Sequence, residues 1–209
     1  MKKIRIYFSS DLADPTNGTA EIEGPEAAVD FSALIEHYRT LGENYLKDAD
    51  KFIMQWKEEW GPRLFDPKAR ILLMSDENMR KNFGDVIDFG KAETTLSALI
   101  VWTVGEAIEK KSEELMSQSG NLMSGMLLDV AGSVALYGMH RPILEWLSGK
   151  VCREHSKYIS AEVYPGFTDV SHEIMDRIEK SGNTEKTLGA RAEGSSMLRP
   201  RKTQCSFVG

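Results

Sequence analysis

Apolar residues along this chain switch between two spacings. At the start, Ile4, Ile6 and Phe8 alternate with polar or charged neighbours, the period of a half-buried strand. A turn run, Asp14-Pro15-Thr16-Asn17-Gly18, separates them from Thr19–Ile22, which predicts a hairpin or an extended arm. From Pro25 the spacing becomes helical through Phe31, Leu34, Ile35, Tyr38 and Leu41. Pro25 suits a first helical turn and Gly42 suits a stop. A second helix is predicted across Leu46, Ala49, Phe52, Ile53, Trp56 and Trp60, closed by Gly61-Pro62. Its aromatic stripe reads as a buried amphipathic face rather than a ligand-stacking platform.

After Phe65-Asp66-Pro67, Ile71–Met74 reads as a short strand and Thr94–Val104 as a buried one that Gly105 ends. Glu106–Met116 returns to helical spacing, with Glu109, Lys110, Lys111, Glu113 and Glu114 as its wet face. Leu122–Leu147 is the longest helical candidate. Gly125, Ala131, Gly132, Ala135 and Gly138 thin one side of it, and a glycine inside a helix costs about 1 kcal/mol against alanine. A second backbone packed closely against that side would explain them. Pro142 is expected to kink or restart the helix, because it cannot donate to the carbonyl of Gly138. Beyond Gly149 the pattern gives an extended Tyr158–Tyr164, a turn at Tyr164–Phe167, a helix over Ser171–Lys180, and short strands at Leu188–Arg191 and Gln204–Val208. Helices and strands alternate without a βαβ rhythm. The predicted class is α+β, a mixed or antiparallel twisted sheet flanked by helices.

A length of 209 residues suits one generous domain, with an N-terminal strand and helical region (1–84) packing on a main core (85–209). The net charge of -6 argues against a nucleic-acid binder, whose affinity rests on neutralising phosphates. The basic run Arg199, Arg201, Lys202 reads as solvated surface or a small-anion contact. No stretch approaches the roughly 18 apolar residues of a membrane span, and the opening lacks the apolar core of a signal peptide. Cys152 and Cys205 make no disulfide framework, so a reducing, cytoplasmic setting is expected. His37, His140, His155 and His172 are too scattered for a metal pair. Ser195-Ser196 lacks a nucleophile-elbow context. No catalytic side chain and no metal site are predicted.

Four stretches, in order, carry a family resemblance: Thr94–Gly105; the leucine-aspartate, small-residue run Leu127–Ala135, which includes Asp129; the turn Tyr164-Pro165-Gly166-Phe167; and the closing segment Glu193–Lys202. Together they resemble the activation domain of cobalamin-dependent methionine synthase, in its short stand-alone form. Residues 1–84 carry no matching motif. The resemblance implies S-adenosylmethionine binding and presentation of its methyl group to cobalamin held by a partner, a corrinoid protein or methyltransferase. Oxidised cobalamin would be reduced by one electron and trapped by methylation. The implied pocket residues are Glu162, Tyr164, Pro165, Gly166, Phe167, His172, Glu193, Ser195, Arg199 and Lys202. Gly166 and Phe167 would shape the ligand face and His172 would sit near the corrin edge. Glu193 would take the ammonium, and Arg199 and Lys202 the carboxylate or corrin side chains.

Two positions depart from the family pattern. Glu162 stands three before Pro165, where the family carries the arginine that meets the ligand carboxylate. Phe167 stands in place of the usual tyrosine. The alternative implied by Glu162 is a corrinoid-protein cap or chaperone that has lost S-adenosylmethionine. All of this requires the Pro165–Phe167 turn and the Glu193–Lys202 tail to fold into one cleft.

Overall fold

A computed structural model describes residues 2–12, 18–27, 29–90, 92, 94–166, 170–194 and 196–209. The chain opens with β1 (Lys2–Ser10) and β2 (Ala20–Ala27), an antiparallel pair. Positions 14–17 of the expected turn lie outside the described residues. Pro25 belongs to β2 rather than to a first helical turn; the helix begins later, at α1 (Ser32–Leu41), and ends at Gly42. The helical spacing in Pro25–Leu41 came from residues beyond Phe31 alone.

Next comes α2 (Glu43–Gln55), which runs into a π-helical turn at Trp56–Trp60 and then α3 (Gly61–Leu64). The expected stop at Gly61-Pro62 is therefore crossed. Widening to π spacing sends the Gly61 N–H to the Trp56 carbonyl, and Pro62 falls in the first turn of the new register, where no donor is needed. β3 (Lys68–Ser75) leads to α4 (Asp76–Phe83), a helix the apolar pattern did not reveal. Ser75 caps it through its side chain, accepting from the Asn78 N–H.

β4 (Leu96–Thr103) is buried along nearly its whole length, and Gly105 adopts a positive φ where the chain turns into α5 (Ala107–Ser117). α6 (Leu122–Leu147) runs through Pro142 without a restart and ends in a π-turn, Ser148–Cys152. Gly125 and Gly132 have the predicted reason. A methyl on Gly125 would overlap Met116 and the Ser112 carbonyl, and one on Gly132 would press on Ile108, so α5 and α6 pack nearly backbone to backbone. The outer side of α6 leaves Met123, Met126, Val130 and Tyr137 exposed. By length and composition alone Leu122–Cys152 could cross a membrane, although 44% of its apolar window is buried inside this fold.

The remaining elements are β5 (Glu162–Val163), a 3-10 turn at His172–Ile174, α7 (Met175–Gly182), α8 (Thr184–Leu188), β6 (Arg191–Glu193), β7 (Met197–Arg199) and β8 (Thr203–Val208). The expected strand at Leu188–Arg191 is thus divided. Leu188 closes α8, Gly189 turns with positive φ, and only Arg191 starts a strand.

Six strands form one sheet in the order β2-β1-β3-β4-β8-β5. β1 and β3 are parallel and all other neighbours antiparallel, so the sheet is mixed and the class is α+β, as the pattern predicted. Side-chain alternation divides the core between two faces. Ala98, Ile100 and Trp102 of β4 join Val208 beneath α5, α6 and the aromatic helices, with the Trp102 indole N–H donating to the Leu136 carbonyl at 3.0 Å. Leu99, Val101, Cys205 and Phe207 face α4, α7 and α8. Arg70 crosses the second layer nearly fully buried. Its guanidinium donates to the carbonyls of Gly182, Tyr7 and Ile71 and to the Ser9 hydroxyl. Burial pulls its pKa down to about 10.

Candidate functional site: a cleft at the open edge of β8

β5 pairs with β8 only at Phe207 and Val208, so Thr203 to Cys205 lie on an edge that no described strand covers. The space beside them is a cleft of about 360 Å³. Tyr164, Pro165, His172 and Met175 form one wall. Ser196, Met197 and Leu198 with Arg201, Thr203, Gln204 and Cys205 form the other. The Tyr164 turn and the C-terminal tail therefore meet in one cleft.

Gly166 makes the turn possible for two reasons. Its φ is +83°, a region that disfavours other residues, and a methyl there would overlap the His172 imidazole. The Gly166 N–H donates to the Val170 carbonyl at 2.8 Å, which closes the loop and sets His172 against it. Cys205 forms part of the floor. Burial pushes its thiol up to about 12, so it stays protonated and acts as an apolar surface.

The charged residues distribute differently. Glu162 points to the α6 face, where both carboxylate oxygens lie 2.9–3.0 Å from His140 Nε2. The Tyr164 hydroxyl reaches the same nitrogen at 2.8 Å. The His140 ring rests on Trp102 at a centroid distance of 5.5 Å. Burial opposes ionisation of Glu162, but the hydrogen bond with His140, the nearby Ser206 hydroxyl, the His140 charge and Tyr164 together outweigh it and hold the carboxyl below its usual range. Burial, and then the charge of Glu162, push the Tyr164 phenol up, so it remains a neutral donor.

Glu193 and Arg199 pair with each other and line a neighbouring polar groove of about 510 Å³, together with Glu106, Glu113 and Glu185. Lys202 is not among the residues that line the cleft; it donates to Asp129 at 3.0 Å and Ser133 at 2.8 Å on α6. Arg201 and Lys202 lie in the bend between β7 and β8, and they reach α5 and α6 respectively. Tyr164, Pro165 and His172 thus line the cleft and Gly166 shapes it. Glu162, Glu193, Arg199 and Lys202 surround it in other contacts. Phe167 and Ser195 lie outside the described residues.

Three residues gain a part that the sequence pattern did not give them. Glu109 is 8% exposed and not on a wet face. It accepts from the Arg201 backbone N–H at 2.7 Å and Nε at 2.8 Å, and from Arg199 at 3.4 Å, which pins the tail to α5. His140, unremarkable in sequence, organises Glu162 and Tyr164. Met197, 43% exposed, forms the rim of the cleft. Only a capping or pairing partner far along the chain distinguishes Glu109 from its neighbours, and spacing does not show such partners.

No family model matches the chain, and no curated protein matches it. Solved structures do. A crystal structure of the MetH reactivation domain bound to AdoHcy superposes with a TM-score of 0.60 at 11% identity, covering 86% of this chain and 73% of that one. The molecule therefore has the fold of a MetH reactivation domain. At that identity the likeness is one of architecture.

Proposed function

We propose that the chain is a reactivation-domain-like module that binds an S-adenosyl ligand in the cleft beside β8 and works on cobalamin carried by a partner protein. The meeting of the Tyr164–Gly166 turn with the Met197–Cys205 tail in a ligand-sized space carries this reading, since small-molecule sites are mostly apolar clefts of roughly 300–1,000 Å³. Pro165, Met175, Leu198 and Cys205 suit the adenosine. His172 and Gln204 supply polar edges. Arg201 takes the place of the missing arginine: Nε and Nη2 hold Glu109 and Glu113, which leaves Nη1 without a partner among the described residues for the ligand carboxylate. Glu162 does not oppose that carboxylate, because it is bound to His140. When bound, the sulfonium supplies the methyl group, and an outside donor supplies the electron. The chain's own residues orient the ligand. The exposed apolar side of α6 offers a surface for the corrinoid protein.

Titration calorimetry with S-adenosylhomocysteine and S-adenosylmethionine tests this. Both are expected to bind, with affinity lowered about tenfold in Arg201→Gln and abolished in Met197→Trp, which fills the rim. Silence from both ligands would remove the reading.

One observation favours a second reading. Glu193 with Arg199 and Lys202 with Asp129 are already paired within the chain, as in a cap that no longer holds the ligand. Heat with hydroxocobalamin and none with either S-adenosyl compound would select it.

A further inference from the structure

The far end of the molecule holds a second chamber, about 460 Å³, between the β1–β2 end of the sheet and the α2–α3 helical run. Phe31, Trp56 and Phe65 make its walls, Phe31 edge to face on Trp56 at a centroid distance of 5.8 Å and Phe65 tilted against Trp56 at 6.2 Å. Two lysines line it, Lys2 and Lys57, and no carboxylate is among its described lining residues. In a chain of net charge -6 that local balance is opposite to the rest of the molecule. Lys2 is held in place, since its Nζ donates to the Phe65 carbonyl at 2.6 Å, which uses one of its three protons. Trp56 is 5% exposed, and its indole N–H has no hydrogen-bond partner among the described residues. The indole nitrogen lies beside Gly61, itself part of the lining, and a side chain at Gly61 would collide with it. The π-turn Trp56–Trp60 carries both Trp56 and Lys57, and such turns recur at binding sites.

From this geometry we propose that the chamber is a binding site for an amphipathic carboxylate, a medium-length alkyl or aryl acid. The apolar part fills the aromatic walls, and the carboxylate meets Lys2 and Lys57, with the Trp56 N–H as a further donor. An aromatic enclosure supplies most of the affinity by burial. The paired cations supply selection for an acid over its neutral analogue. The site is separate from the β8 cleft and does not depend on the function proposed for it.

Decanoate is the probe, followed by calorimetry and by the tryptophan fluorescence of Trp56, with decanol as the neutral control. One decanoate per chain is expected, bound roughly tenfold more tightly than decanol. Lys57→Glu, an exposed change that leaves the fold intact, is expected to erase that preference while decanol binding stays the same. Val29→Trp, which fills the chamber from its edge, is expected to block both. Equal binding of acid and alcohol, an unaltered preference in Lys57→Glu, or no binding of decanoate would each overturn the proposal.

Discussion

The two ends of the sheet solve the same problem in opposite ways. At the β8 end the sheet stops short, because β5 pairs with only two residues, and the turn and tail close over the uncovered edge. The acids and bases there neutralise one another first: Glu109 with Arg199 and Arg201, Glu162 with His140, Lys202 with Asp129. What remains inside is mainly apolar, with one guanidinium nitrogen to spare. At the β1–β2 end the edge strand β2 pairs with β1 along nearly its whole length, and space opens instead where aromatic helices leave the sheet. Its cations have no carboxylate partner in the lining. A charge shows a ligand when the fold leaves it unpaired, and the count of charged residues nearby says little.

The largest effect is expected from the residue that joins the two ends. Arg70 links β1, β3 and the end of α7 through three carbonyls and a serine hydroxyl. Arg70→Ala strands those acceptors, and urea unfolding should show a loss of about 3 kcal/mol, since each buried unsatisfied group costs on the order of 1–3 kcal/mol. Binding at both ends should weaken together. An unchanged midpoint would show that water replaces the guanidinium freely.

Glu109→Ala should act on one end alone. It leaves the Arg201 backbone N–H and two guanidinium groups without their shared acceptor, at a cost of about 2 kcal/mol in urea unfolding. S-adenosylhomocysteine binding should drop while decanoate binding holds. Equal losses at both sites would mean that the two ends are not independent.

The smallest effect separates the cleft from its outer support. Glu162 has a folded pKa below its ordinary value. Its contribution is therefore fully present above the unfolded value of about 4.3 and is lost as pH falls through the folded one, because the unfolded chain then takes up the proton first. Half-buried partners limit it to about 1 kcal/mol. The stability gap between the parent and Glu162→Gln, followed by urea midpoints from pH 7 to pH 3, should shrink on acidification. A gap that is constant with pH would exclude the carboxylate's charge as its source.

Much of the architecture was legible before any coordinate. Alternation in Ile4–Phe8, the apolar run of β4 and the glycine-thinned face of α6 each state a local requirement, and each was met. Errors arose where a residue has two uses. Pro25 fits a helix start and also the edge strand of a sheet, and Gly61-Pro62 can end a helix or ride through a π-turn. α4 was missed because its few apolar residues, Met79 and Phe83, give too weak a stripe. In the cleft, Tyr164, Pro165, Gly166 and His172 were named through the family resemblance, which rests in part on a proline-glycine turn that is visible locally. The assignments of Glu162, Glu193, Arg199 and Lys202 could not be read this way, since a charged side chain's partner is chosen across the fold.

The order of apolar and polar residues determined on its own that strands and helices would alternate, where glycine had to stand, and that the chain would bury an α+β core. Those demands act within a few residues, through backbone sterics and the period of each element. Which carboxylate met which cation, and where a cavity was left between them, was decided only in three dimensions. Glu109 and Arg201 are 92 positions apart, and so distant a pair is chosen by the packing of α5 against the tail.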